Sequence, residues 1–323
     1  MMKAAVYDRY GPPEVVKVMD VKPLVCKDNE VLIKVITTTV NRTDCGFRSA
    51  EYFISRFWSG LMKPKRKILG CEYAGLIVDK GIAVQSFQTG DRVFGYNDGS
   101  FGAHAEFLTQ KENDSLTHIP ENVSYIMAAP LTEGAHYSLN AIKAMSLQKG
   151  NHVLVYGATG AIGSSAVQIL KSMGIRVSAV CSTENVYWVK ELGVDKVIDY
   201  TKEDYSESYQ RYDAVLDAVG KTNFGKAKKV LKENGIYIST ELGKYGENIL
   251  LALAGKFYKG KKVKFPIPTI SKEIVQYFGQ LAEEGLFVPV IDRVYPLDRI
   301  VEAYKYVEQG QKKGNVLIKV GSE

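Results

Sequence analysis

Val153-Leu154-Val155-Tyr156-Gly157-Ala158-Thr159-Gly160-Ala161-Ile162-Gly163 decides the reading of this 323-residue chain. An apolar run ends at Gly157 and glycines recur at Gly160 and Gly163. Ile162, Ala166, Val167, Ile169, Leu170 and Met173 then fall at helical spacing. This is the order of a strand, a tight turn and a helix N-terminus. Such a turn lets main-chain N–H groups approach a pyrophosphate closely, so it points to a nucleotide.

Working outward, apolar strand candidates follow at 176–181, 196–199, 212–217, 235–240 and 262–265, separated by segments of helical length. That alternation predicts a parallel sheet covered by helices. Residues 3–120 read instead as short strands and turns, among them Val31–Val35 and the turn Gly90-Asp91 entering Arg92-Val93. Strand patterns return at Val290–Val294 and Val316–Val320, and these are expected to rejoin the first domain.

The glycine spacing is GxxGxxG rather than GxGxxG. A P-loop is the main rival, but Gly220-Lys221-Thr222 has Val215 where the first glycine of that motif would stand. The second strand offers a test of cofactor. NAD sites usually carry an acid near its end, for the ribose hydroxyls. Here the strand ends Val180-Cys181-Ser182-Thr183, with no carboxylate before Glu184. A carboxylate would repel a 2′-phosphate and hydroxyls can donate to it, so NADPH is favoured over NADH.

Composition, at 46% hydrophobic and 24% charged, is that of an ordinary globular protein. The N-terminus lacks the apolar stretch of a signal peptide, and no run approaches the roughly 18 apolar residues of a membrane span. No membrane partner is expected. Cys26, Cys45, Cys71 and Cys181 are scattered, with no CxxC, so neither a disulfide framework nor a structural zinc lobe is indicated. Reduced thiols and a cytoplasmic location follow as the expectation. The net charge is +6. Its densest patch is Lys256, Lys259, Lys261, Lys262 and Lys264, interleaved with Phe257 and Tyr258. It reads as a solvated loop leading into Val263–Phe265, against the alternative of contact with an anionic cofactor, a substrate or RNA.

Gly70-Cys71-Glu72-Tyr73-Ala74-Gly75, Gly81, Val84 and Gly90-Asp91-Arg92-Val93, preceded by Asn41-Arg42-Thr43-Asp44, resemble the medium-chain dehydrogenase/reductase superfamily. Tyr212–Gly220 and Gly314-Asn315-Val316-Leu317-Ile318 look like its later landmarks, so the likeness covers almost the whole chain. Within the superfamily the chain looks closest to the zinc-independent quinone oxidoreductases. The resemblance implies an α/β chain with a GroES-like β-rich catalytic domain, residues 1–124 completed by 289–323. The doubly wound Rossmann domain would span 125–288, with the active site in the cleft between the two and a homodimer formed through the nucleotide domain.

Zinc-dependent members surround the metal with a cysteine, a histidine and a second cysteine. The matching positions here are Asn41, Cys71 and about Glu133. An amide is a poor zinc ligand, and residues 82–180 hold no cysteine for a structural lobe. No zinc is expected. Cys71 reads as a small buried residue rather than as part of an unusual metal site with Glu72 and Glu133. Without a Lewis acid the acceptor must be activated already: in a quinone or enone, charge develops on a remote oxygen that a hydrogen-bond donor can stabilise.

By resemblance, Asn41 points at the nicotinamide ribose or the substrate, and Tyr52 lies near the nicotinamide as a candidate proton donor. Asp44 orients a neighbouring loop. Glu133-Gly134-Ala135-His136-Tyr137 departs from its relatives, which have small residues and a threonine there, and makes His136 and Tyr137 catalytic candidates. Gly157, Thr159, Gly160, Ala161, Ile162 and Gly163 are expected at the pyrophosphate. Ser182 and Asn185, with Tyr200, are expected at the 2′-phosphate. Ala218, Val219, Leu242 and Gly243 would line the cofactor side of the sheet, and Asn315 would close over the nicotinamide.

The function expected is NADPH-dependent, zinc-independent reduction of a small-molecule quinone or α,β-unsaturated carbonyl. Three rivals stand beside it: an enoyl-thioester reductase acting on CoA or carrier-bound substrates, an NADPH-binding protein that contacts RNA, and an alcohol dehydrogenase with an unusual metal site. A nucleic-acid partner is the less favoured reading.

Overall fold

A computed structural model describes residues 1–322 apart from 52–55, 256 and 258; the expected position of Tyr52 lies outside the described residues. The strands are β1 Met2–Val6, β2 Lys17–Val21, β3 Glu30–Val40, β4 Glu72–Lys80, β5 Arg92–Tyr96, β6 Phe107–Lys111, β7 Leu116–His118, β8 His152–Tyr156, β9 Arg176–Cys181, β10 Lys196–Asp199, β11 Tyr212–Asp217, β12 Leu231–Ser239, β13 Lys262–Val263, β14 Ile291–Pro296 and β15 Asn315–Lys319. The helices are α1 Arg42–Ser49, α2 Arg56–Ser59, α3 Tyr125–Ala128, α4 Glu133–Met145, α5 Ala161–Ser172, α6 Val186–Glu191, α7 Phe224–Val230, α8 Glu247–Ala254, α9 Lys272–Glu283 and α10 Ile300–Glu308.

The chain divides into two compact units, Met1–Glu133 with Ile270–Gly285 and Pro289–Glu323, and Gly134–Thr269 with Leu286–Val288. The second unit is built on a six-stranded sheet in the order β10-β9-β8-β11-β12-β13, every neighbouring pair parallel. Counted from β8, this is the 3-2-1-4-5-6 order of a doubly wound nucleotide-binding sheet. The run Val153-Leu154-Val155 is fully buried at its centre. Each such side chain contributes about 1.5–3 kcal/mol over exposure, which explains why the sequence is continuously apolar there rather than alternating. On α5, Ala166, Val167, Ile169 and Leu170 are buried as their spacing predicts. Met173 stands at the C-cap and is exposed.

The first unit holds a seven-stranded sheet in the order β14-β15-β3-β4-β5-β7, with β6 paired to β3. Apart from the parallel β14–β15 pair it is antiparallel. The C-terminal strands β14 and β15 do rejoin this sheet. The unit is larger than the expected 1–124 with 289–323, and α9, expected inside 125–288, belongs to it. The cause is packing. Val275, Phe278 and Leu281 of α9 are buried, Gly279 sits against Phe94, and Lys272 Nζ donates to the carbonyl of Glu112 at 3.1 Å.

Beneath α1, the fully buried Arg48 donates to the carbonyl of Gly11 and to Glu308, and lies 5.2 Å from the centre of the Tyr304 ring. Glu308 is 35% exposed and stays solvated without its partner, so what Arg48→Ala loses is the packing of a fully buried side chain, which leaves a cavity. The substitution should cost about 3 kcal/mol and lower the melting temperature by roughly 10 °C. Scanning calorimetry measures this directly, and a shift near zero would refute it.

Candidate active site

In the second unit, β8 runs into Gly157 at φ +79°, and Gly160 is the extended N-cap of α5 with no side-chain cap. A Cβ on Gly163 would fall on the carbonyl oxygen of Gly157, and one on Gly157 would strike the side chain of Val219. The backbone is thus free to approach a ligand only because these positions carry no side chain. The first N–H groups of a helix have no partner within it, and α5 has no capping side chain to take one up, so the cradle suits an anionic pyrophosphate. Thr159, Ala161 and Ile162 are half-buried around it.

The other expected cofactor residues gather at the same carboxyl end of the sheet. Ser182 follows β9, and Tyr200 follows β10 and donates its backbone N–H to the carbonyl of Cys181 at 3.1 Å. Tyr200 is exposed. Asn185 is buried, donating to Ser182 Oγ at 2.8 Å and accepting from the Trp188 indole at 2.9 Å. After β11, the Asp217 carboxylate accepts the backbone N–H groups of Val219 and Gly220 at 3.2 and 2.9 Å, which fixes the loop that holds Ala218 and Val219. Leu242 and Gly243 follow β12. Gly243 has φ +73°, and the carbonyl of Leu242 accepts from Asn248 N at 3.1 Å.

Sequence reasoning missed one group here. Asp199 accepts from Thr183 Oγ1 at 2.6 Å and from Thr201 Oγ1 at 2.7 Å. These bonds, the Thr183 hydroxyl foremost, hold its carboxyl down at about 2. Its position just before Tyr200 was the available signal.

In the first unit, Asn41 caps α1. Its Oδ1 accepts from Asp44 N at 3.0 Å and the Asp44 carboxylate accepts from Asn41 N at 3.2 Å, a capping box. This leaves Asn41 Nδ2 to donate to Cys71 Sγ at 3.1 Å. Glu72 is fully buried and accepts Thr39 Oγ1 at 2.6 Å, Thr132 Oγ1 at 2.8 Å and the backbone N–H of Glu133 at 2.7 Å. Glu133 accepts Thr43 Oγ1 at 2.5 Å, and the Cys71 thiol lies 3.8 Å from its other oxygen.

Burial, with Glu72 nearby, pushes the Glu133 carboxyl up to about 7. Burial also raises Asp44, Glu72 and the Cys71 thiol. His104 donates to the carbonyl of Thr39 at 2.7 Å and is driven down to about 4 by burial. With the imidazole neutral, its 3.8 Å approach to Asp44 is not an ion pair. The sequence reading singled out Glu133 but missed Thr43 and the His104–Tyr304 hydrogen bond of 3.2 Å, which no local pattern signals.

Three further expected residues have other visible ties. Asn315 Nδ2 donates to the carbonyl of Val290 at 3.0 Å. On α4, buried His136 stacks at 4.5 Å on half-buried Tyr137. Among the described residues, no group of three His, Cys, Asp or Glu side chains is placed to hold a metal ion.

Two family models match the chain: the alcohol dehydrogenase GroES-like domain over residues 27–121 and the zinc-binding dehydrogenase over residues 192–318. The NADPH-dependent alkenal/one oxidoreductase of Arabidopsis thaliana is 29% identical, the match covering 98% of this chain and 79% of that protein. The chloroplastic quinone-oxidoreductase homolog of Spinacia oleracea is 29% identical over 98% of each chain. The solved quinone oxidoreductase of Coxiella burnetii is 27% identical, with a TM-score of 0.88 over 99% of each chain. Fold, glycine cradle and relatives together define an oxidoreductase of the dinucleotide-binding type. The chain belongs to the medium-chain dehydrogenase/reductase superfamily, in its quinone oxidoreductase-like branch.

The Glu133 carboxyl has an ordinary value of 4.5 and a folded value of about 7. Between these the folded chain holds a proton that the unfolded chain releases, so stability falls as pH rises through that window. The loss is at most about 3 kcal/mol. Glu133→Gln should flatten the slope and be the more stable form above pH 7. Urea unfolding at stepped pH reads this, and parallel slopes for the two forms would refute it.

Proposed function

We propose that this oxidoreductase uses NADPH to reduce quinones or α,β-unsaturated carbonyls without a catalytic zinc. The observation that carries the reading is the Asn41–Cys71 contact. Where zinc-dependent members place thiolate and imidazole donors, this chain has an amide whose oxygen is taken by the helix cap and whose NH₂ group faces the sulfur. Burial keeps that sulfur protonated. Glu133 supplies a single carboxylate, itself shared with Thr43. This donor set does not fit tetrahedral zinc, although one matching family model is named for the metal.

The residues do fit the dinucleotide. Gly157 and Thr159 to Gly163 would hold the pyrophosphate, and Ser182 with Tyr200 the 2′-phosphate. Asn185 would support Ser182 from behind, since its amide already donates to that hydroxyl. Val219 and Gly243 would flank the cofactor, and Asn315 would fix the strand end beside it. When bound, the nicotinamide supplies hydride. The protein must then orient the acceptor and return a proton, for which His136 and Tyr137 are the candidates on α4. Glu133, near its midpoint at neutral pH, can hold a proton at the carboxyl oxygen that Thr43 touches. The relatives named for alkenal/one and quinone reduction support the acceptor class.

The test is absorbance at 340 nm with NADPH and then NADH, against quinones, enones and crotonyl-CoA. Turnover of the free enone or quinone is expected to exceed that of the thioester and to be unchanged by chelator. Ser182→Asp should raise the KM for NADPH at least about tenfold while sparing NADH, since a carboxylate repels the 2′-phosphate. Loss of activity on chelation, or a parent preference for NADH, would overturn the reading.

A further inference from the structure

Strand β10 is the outer strand of the six-stranded sheet, and Asp199 at its end is the ladder partner of Cys181 at the end of β9. The segments that follow, Ser182-Thr183 and Tyr200-Thr201-Lys202, therefore leave the sheet side by side. A hydrogen bond of 2.8 Å between the Thr183 and Thr201 hydroxyls joins them. Ser182 and Tyr200 are the residues proposed above to meet the 2′-phosphate, and the groups around them decide whether it is welcome. Thr183 and Thr201 both donate their hydroxyls to Asp199, at 2.6 and 2.7 Å. Asp199 is thus held as a carboxylate beside the place meant for a phosphate of about two negative charges. Glu184 and Glu203 flank the same segments and are exposed. Like charges this close oppose binding unless a cation offsets them.

Lys202 is a cation within reach. Its Nζ lies 3.5 Å from the Asp199 carboxylate, and its side chain is 69% exposed. A strong ammonium–carboxylate hydrogen bond measures about 2.7–2.9 Å, so this pair is loose. An exposed pair of this kind adds little to stability. The ammonium can therefore turn toward a second anion while the backbone beneath it stays fixed, since Lys202 N donates to the carbonyl of Asp199 at 3.0 Å. A lysine is a compact charge on a flexible stem, which suits it to that movement. Lys226 on α7, by contrast, is held by Asp204 at 2.8 Å.

We propose that Lys202 determines the cofactor preference: its ammonium offsets the Asp199 carboxylate and meets the 2′-phosphate, and so favours NADPH over NADH. This rests on the proposed use of NADPH and adds the residue that selects it.

The experiment is equilibrium binding to the full chain, read by calorimetry with no acceptor present. The ligands are NADPH and NADH, then adenosine 2′,5′-bisphosphate and adenosine 5′-monophosphate. The parent is expected to bind the 2′-phosphorylated member of each pair more tightly, by a margin that shrinks as salt rises. Lys202→Gln should weaken NADPH and the bisphosphate at least about tenfold while leaving NADH and the monophosphate unchanged. Lys202→Arg should keep the parent preference. Thermal unfolding of both variants should match the parent, and Lys202→Met gives the same reading should Lys202→Gln not fold. A parent that prefers NADPH and keeps its full preference in Lys202→Gln overturns this proposal alone. Equal weakening of NADPH and NADH also overturns it, since the lysine would then act through the fold. A parent that binds NADH more tightly overturns the use of NADPH and this proposal with it.

Discussion

Asp44, Glu72 and Glu133 are all buried in the first unit, and the cost of taking carboxyls out of water dictates what the chain around them provides. Glu72 is met by two threonine hydroxyls and a backbone N–H. Asp44 accepts the backbone N–H groups of Asn41 and Gly70. Glu133 accepts the Thr43 hydroxyl, and burial, with Glu72 nearby, raises it to about 7. These bonds join β3, β4, α1 and the start of α4, so the acids that would otherwise oppose folding also set the register of the segments that carry the candidate site.

The second unit rests on a steric constraint instead. Gly157, Gly163 and Val219 crowd so closely that no side-chain carbon fits at either glycine, while Asp217 pins the neighbouring loop. One unit is arranged by electrostatics and the other by the absence of atoms. The chemistry proposed for the chain would draw on both: a rigid anion cradle, and buried carboxyls able to hold protons.

Much of this was legible in the sequence. Parallel strands buried on both faces leave uninterrupted apolar runs, so β8 to β11 appear close to where Val153, Arg176, Lys196 and Tyr212 announced them. The glycine turn was equally plain, because its spacing reflects backbone contacts within a few residues. What was hidden depends on distant partners. Nothing in α9 itself says that Phe278 packs in the first unit rather than beside its sequence neighbours. Asn41 could be matched to a zinc position, but only the fold shows its amide divided between a helix cap and a thiol. Desolvation of Glu133 likewise follows from strands and turns far along the chain.

The state of the sulfur atoms bears on survival as much as on catalysis. Quinones and enones are electrophiles that alkylate thiolates, so an enzyme proposed to handle them faces damage from its own substrates. Cys45, Cys71 and Cys181 are buried, and burial raises each thiol, Cys181 to about 11. Cys26, partly exposed, is raised as well. A thiol that stays protonated is a poor nucleophile. Where the chain keeps its cysteines would thus shield it from the acceptors proposed for it.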